Sequence, residues 1–423
     1  MAGHGHPHGR VPAASRHTRR IVTAVLVPAA VATLVAMIIL WPGRMHLAAD
    51  QPAGQGGVRG AGTVTAVDEQ ACPPPAAGSE QPEGWTQRCG SATVRVTTGP
   101  GAGGTATTDL PQGPGAPPLH VGDKVVLLYF PDAVPGGRAY SVIDHQRGTP
   151  MIWLLALTAL VIVAFGRWRG VSSLAGLAIS FAVLLLFVIP AILTGSPPLL
   201  VAVVGASAIM FAALYLTHGV TVHTSVAIAG TLASLVVTGL LGVGFTGAMH
   251  LTGIASDDDS YLSATQGSID MRGLLLAGII IGALGVLDDV TVTQAATVAE
   301  LAEAGPTTRW QLYRTASRIG RAHVASAVNT IVLAYAGAAL PLLLLIAAGT
   351  QPVSQLVTSE FLAQEILRSA VGTIGLVASV PITTALAALV ADLPAPHPAA
   401  SPRRHAAPPG RSTAASDLTR QSG

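Results

Sequence analysis

Asp288 and Asp289 stand side by side in "GVLDDVTVTQAATVAEL", directly after the apolar run "RGLLLAGIIIGAL". If residues 289–300 are helical, Asp289, Thr293, Thr297 and Glu300 fall within about 80° of one another and form a narrow polar stripe. Only Thr291 and Gln294 interrupt the Val, Ala and Leu of the remaining circumference. Asp288 projects about 100° away from Asp289, so the pair by itself does not form a shared-proton dyad. A second group follows in "GRAHVASAVNTIVLAYAGAALPLLLL", where helical spacing puts His323, Ser326 and Thr330 within about 60°, with Asn329 at the edge. Acids opposite an imidazole, with hydroxyl and amide groups beside them, are a set that relays protons or coordinates a cation.

These residues have plainer readings too. Asp288 and Asp289 could cap a helix lying along a membrane surface, since carboxylates are favoured at a helix N-terminus. They could instead mark a solvated loop. The group around His323 could do no more than hydrogen-bond helix to helix. Further polar groups in apolar surroundings are His218, Thr221, His223, Thr224 and Ser225, and Thr383 and Thr384 after Pro381. Gly278 and Gly282 make a G-x-x-x-G suited to close helix packing.

What must position such residues is a set of membrane helices. Half of the 423 residues are hydrophobic and only 10% are charged, with a mean hydropathy of +0.56; a soluble domain carries about 25% charged residues. A net charge of +2 and the lack of basic, aromatic-interleaved stretches point away from nucleic acid. Apolar windows of about 20 residues match the hydrocarbon thickness, and we read them at roughly 21–40, 150–166, 171–193, 199–217, 222–245, 273–290, 323–348 and 369–391. The expected fold is therefore an α-helical polytopic membrane protein of about eight transmembrane helices. The first window is read as an uncleaved anchor because no small-residue cleavage motif directly follows it. The distribution of Arg predicts a multi-pass protein of the cytoplasmic membrane with both termini in the cytoplasm.

Along the chain this gives a disordered cytoplasmic tail (1–20), a first transmembrane helix (21–40), an extracytoplasmic domain (41–149), a helical membrane domain (150–391, about seven spans) and a second disordered tail (392–423). His4, His6 and His8 in the first tail have the spacing of a weak metal binder, but read best as part of a flexible tail. No metal site and no cofactor is expected. Within 41–149, a β-rich core at about 60–147 holds "GTVTAV", "SATVRVTT", "GTATTDL", "DKVVLLYFP" and "RAYSVIDH". Five short strands suit a small OB-like barrel, with "VVLLYF" as central strand because both its faces are apolar. Val94 and Val96 should share one face and Arg95 the other. Cys72 and Cys89 are the only cysteines, and outside the cytoplasm a disulfide between them would staple the intervening insertion.

"GALGVLDDVTVTQAATVAEL", "GRAHVASAVNTIVLAYAGAALPLLLL" and "RSAVGTIGLVASVPITTALAALVAD" resemble the YibE/F family of polytopic bacterial membrane proteins, over about residues 120–391 and most strongly from 273 onward. The resemblance implies a multi-span architecture and carries no catalytic residues with it. No P-loop, G-x-S-x-G or H-E-x-x-H is present, so an enzyme is not expected. The leading expectation is a transporter or permease component moving a small solute or ion past Asp288, Asp289, Thr293, Thr297, Glu300, His323, Ser326, Asn329 and Thr330. The alternative is a non-transporting scaffold or sensor in the lipid bilayer whose β-domain binds an envelope or membrane protein partner.

Overall fold

The computed structural model describes residues 16–43, 57–72, 88–112, 116, 118–131, 138–304, 307–348, 358–391 and 393. The expectations for the histidine tail and for most of the C-terminal tail lie outside these residues. The chain divides into two compact units, Gly43–Ala175 and a larger one made of Met1–Pro42 with Gly176–Gly423.

The smaller unit is built on a five-stranded antiparallel sheet of β1 (Val58–Gln70), β2 (Cys89–Thr98), β3 (Thr105–Asp109), β4 (Lys124–Tyr129) and β5 (Tyr140–His145), in the order β3-β2-β1-β4-β5. Period-two alternation puts Val64, Val94, Val96, Val125, Leu127 and Val142 on one buried face, while Arg95 points outward. Two expectations need correction. The central strand is β1, not "VVLLYF": β1 has 13 residues, enough to pair with β2 along most of its length and with β4 over its first half. The sheet also does not close into a barrel. Its two edges approach through side chains, with Arg138 Nε 2.9 Å from Asp109 Oδ1 and Tyr140 OH donating to Pro100 O at 2.8 Å. No ladder joins β3 to β5. The β2–β3 turn reverses through Gly99, Gly101 and Gly103, all at positive φ, which other residues adopt only with strain.

Cys72 and Cys89 are bridged, with Cα atoms 5.0 Å apart. Gln70 pairs with Cys89 in the β1–β2 register, so the bridge sits where that hairpin opens into its long connection. Asp123 accepts from the His120 backbone N–H at 2.8 Å and lies 3.2 Å from His145 Nε2. These contacts hold its carboxyl below the usual carboxylate range. The ionised form therefore favours the fold at neutral pH, and that contribution fades as acid protonates the group. Two helical segments complete the unit: α2 (Gly148–Gly166), of which no residue is buried, and the start of α3 (Trp168–Val183).

In the larger unit, α1 (Arg16–Ile39) is followed by the rest of α3, a π-helical turn at Leu184–Val188 and α4 (Ile189–Leu193). The wider turn precedes Pro190, whose missing N–H leaves the Leu186 carbonyl without its ordinary donor. Then come α5 (Pro198–His218), α6 (Val222–Ala248), α7 (Asp257–Thr265), α8 (Met271–Glu303), α9 (Arg309–Ala338), α10 (Leu340–Ala348) and α11 (Glu360–Val390). The helices α6, α8 and α11 pack against one another, with α5 against α8 and α9 against α11. Glu360 anchors the loop before α7: its Oε1 accepts from Thr252 N and Oγ1, both at 2.6 Å, and from Gly253 N at 3.0 Å.

Seven helices among the described residues are long and apolar enough to cross a bilayer, not the eight expected. The difference lies at 323–348. There the chain is divided between the last half of α9, whose first half carries Arg309, Arg314, Arg318 and Arg321, and the nine-residue α10. The break falls before Pro341, a residue that fits the first turn of a helix and not its interior.

Opening the Cys72–Cys89 bridge should cost about 3 kcal/mol of local stability. Amide hydrogen exchange of β1 and β2 in oxidised and reduced full-length protein checks this; unchanged protection in the reduced form refutes it.

Candidate functional site

Helix α8 is continuous over 33 residues, so Asp288 and Asp289 are interior to it and cap nothing, nor do they lie in a loop. Asp289, Thr293 and Glu300 are exposed, Thr297 and Asp288 half-exposed. The stripe faces away from the bundle. On α9, His323, Ser326, Asn329 and Thr330 are likewise exposed, while Leu312, Ala316, Gly320, Val324 and Ile331 face inward. Among the described residues no hydrogen bond or ion pair joins the α8 stripe to the α9 group. The structure does not bring the two expected halves of a site together.

What it does bring together lies on the opposite face of α8. Thr291 and Gln294, the two interruptions of the apolar circumference, are buried. Thr291 Oγ1 shares a 2.6 Å hydrogen bond with Thr231 Oγ1 of α6 and donates to its own helix at Asp288 O. Gln294 Nε2 donates to Ala316 O of α9 at 3.0 Å and to Thr384 Oγ1 of α11 at 2.7 Å. Thr384 in turn donates to Val380 O at 2.6 Å. Around this core Thr231, Ser234 and Thr238 follow one face of α6, and Ser379, Thr383 and Thr384 one face of α11; all six are fully buried. Ser234, Thr238 and Ser379 satisfy their hydroxyls on carbonyls of their own helices. Thr383 is the exception: its Oγ1 is buried without a hydrogen-bond partner.

The seam is close because glycine permits it. A Cβ on Gly230 of α6 would overlap Thr383 Oγ1, one on Gly375 of α11 would overlap Thr238 Oγ1, and one on Gly320 of α9 would overlap Gln294 Oε1. Each contact sets a polar oxygen against the backbone of a neighbouring helix. Gly278 and Gly282, expected to mediate such packing, do not: Gly278 meets nothing within 4 Å and Gly282 only the Tyr335 hydroxyl at 3.4 Å. Pro381 adds a local opening in α11, since it offers no N–H to the Val377 carbonyl, between Ser379 and Thr383. Of the polar groups taken from sequence as candidates, Thr383 and Thr384 belong to this seam, together with Thr291 and Gln294, which the sequence marks only as interruptions. Thr224 and Ser225 are buried elsewhere, at the start of α6, where Thr221 caps the helix by accepting from Thr224 N at 3.1 Å and Tyr215 OH meets Ser225 Oγ at 3.1 Å.

Among the described residues, no group of three or more His, Cys, Asp or Glu is arranged to hold a metal ion. The seam's oxygens are hydroxyl, amide and carbonyl groups, which suit a hard cation, water or a polar neutral solute. They supply neither a nucleophile with a base beside it nor an acid–base pair.

Seven long apolar helices among the described residues, three of them meeting along a seam of buried Thr, Ser and Gln side chains, define a polytopic α-helical membrane protein. The model of the YibE/F-like protein family matches residues 154–393, which is 240 of 423 residues, and the chain belongs to that family. The match starts at 154, so β4 and β5 fall outside it, although the resemblance was expected from about residue 120. Comparisons with curated proteins and with solved structures give no match.

Alanine at Gly230 or Gly375 should lower stability by about 1–3 kcal/mol, because a methyl group must be forced into a packed contact. Alanine at Gly278 should be neutral or slightly stabilising, since it only improves helix propensity. Thermal unfolding of the three variants in one detergent orders them, and a loss at Gly278 equal to that at Gly375 refutes the assignment of the seam.

Proposed function

We propose that the protein is a transporter or permease component, and that its transport site is the seam of α6, α8 and α11, not the outward stripes of α8 and α9. The observation that carries this is Thr383: a hydroxyl fully removed from solvent, with no partner, set against Gly230 of α6 and next in sequence to Thr384. A buried polar group without a partner costs about 1–3 kcal/mol. Val would fill that position for packing alone, and a ligand, a small cation or polar solute, would give the hydroxyl a transient partner. The neighbouring Pro381 loosens α11 at this level, as interrupted helices do where transporters bind their cargo.

The test separates site from glue. Thr383→Val should leave the protein in the membrane and raise its melting temperature, since the unpaired hydroxyl is gone, while transport or the deletion phenotype is lost. A variant that keeps full activity removes Thr383 from the mechanism.

A second reading, a non-transporting scaffold, is favoured by one specific observation. Asp289, Thr293 and Glu300 face outward from a helix of a membrane protein, and ionised groups there must meet protein or water. With both native cysteines bridged, Thr293→Cys and Thr297→Cys each introduce one free thiol. Labelling by a small water-soluble maleimide marks a hydrated stripe. Protection in membranes, relieved when the purified protein is separated from its partners, marks a scaffold contact.

A further inference from the structure

A cleft of about 650 Å³ opens between α1, α5 and the N-terminus of α6, apart from the seam. Its two ends differ in chemistry. One wall is apolar, formed by Leu26, Val27 and Ala30 of α1 with Phe211 of α5. The mouth is polar, formed by Arg19 of α1, Tyr215 of α5, and His223 and Ser225 of α6. Among the described residues, no carboxylate lines it. The N–H groups of Val222 and His223 open α6 and have no acceptor within the helix; the positive end of that helix dipole adds to the Arg19 charge. Arg16, Arg19 and Arg20 line a second, adjoining hollow, so the mouth lies in a local concentration of cations.

The arrangement has a direction. The far end of α1 packs Ala36, Met37 and Leu40 into the same cluster as Val201 of α5, so α1 runs antiparallel to α5. Moving from Arg19 toward Ala30, about 16 Å along the helix axis, leads from the charged mouth along the apolar wall toward the middle of the apolar helices. A free anion would use the mouth and leave the wall bare. A hydrocarbon alone would leave the arginine and the helix N-terminus without a counter-charge. An amphiphile with an anionic head uses both.

We propose that this cleft binds an anionic phospholipid, its phosphate held by Arg19 and the Val222 and His223 N–H groups and one acyl chain lying along Leu26, Val27 and Ala30. Basic pockets between membrane helices take anionic head groups in this manner, and Arg with backbone N–H donors gives charge-assisted bonds to phosphate oxygens.

The full-length protein in detergent, given equal amounts of dioleoylphosphatidylglycerol and dioleoylphosphatidylcholine, is examined by native mass spectrometry for retained lipid. Selective retention of phosphatidylglycerol is expected, and Arg19→Ala should weaken it about tenfold. Arg20→Ala, which does not line the cleft, should weaken it far less. Val27→Trp, on an exposed position of α1, should block the acyl chain and release the lipid while helix content by circular dichroism stays unchanged; it keeps the test valid should Arg19→Ala fail to fold. Inorganic phosphate at equal concentration should not compete. Equal retention of both lipids, equal losses in the two arginine variants, displacement by inorganic phosphate alone, or no retained lipid because the cleft is occupied by another protein segment each overturns the proposal.

Discussion

Gln294 donates its side-chain amide to two helices at once, to Ala316 O of α9 and to Thr384 Oγ1 of α11, and this junction lets α8 sit at the centre of the larger unit. In water such a bond is nearly exchangeable with solvent and contributes about 1 kcal/mol. Between apolar helices no solvent competes, and lipid tails attract Leu and Val as well as neighbouring helices do. Association must then come from close packing and from polar groups that find partners. The seam supplies both: Gly230, Gly320 and Gly375 allow backbones to approach, and Gln294 and the Thr231–Thr291 pair bond across to the helices they meet.

That physics also explains what could be read from the sequence. In the sheet of the smaller unit, which buries one face and exposes the other, alternation placed five strands and the inward faces of Val94 and Val96 correctly, and cysteine counting found the Cys72–Cys89 bridge. The strand order escaped because apolar faces on "VVLLYF" report burial, not centrality; β1 is central because of its length. In the membrane unit, helical periodicity grouped Asp289, Thr293, Thr297 and Glu300 correctly but did not reveal which way the group points. A polar stripe on a soluble helix faces solvent, and the apolar remainder faces the core. A helix in lipid lacks that guide, because both surroundings are apolar. The usable signal was the small residues. Gly230, Thr231, Ser234 and Thr238 recur at helical spacing on α6, as do Gly375, Ser379 and Thr383 on α11, whereas the more familiar G-x-x-x-G at Gly278 lies on an open face.

The apolar window at 323–348 is divided for a reason that hydropathy does not register. A hydropathy window sums apolar character and ignores continuity of the hydrogen-bond ladder. Ala339 ends α9 with its N–H on Tyr335 O, and Pro341 stands in the first turn of the next helix without a donor, so one apolar window becomes two helices. Arg314, Arg318 and Arg321, one face of α9, are exposed, and that face needs water or phosphate near it.

At 1.5 Å per residue, the 33 residues of α8 extend about 50 Å, against roughly 30 Å of hydrocarbon. From Met271 to Leu287 the helix holds one charge, Arg272; charge returns at Asp288, close to where about 20 residues have crossed the apolar layer. The acids therefore need not be shielded inside the bilayer, and their outward direction costs little if the last third of α8 stands beyond it beside the arginine-rich start of α9. Thr291 and Gln294 then lie at that boundary, while Thr238 and Gly375, farther along the same seam, lie deeper. Thr383, set against Gly230 one residue from Thr231 and adjoining Thr384, lies at the same end as Thr291 and Gln294, so the buried polar residues run from that end toward Thr238 and Gly375 and the unpartnered hydroxyl stands where the line begins.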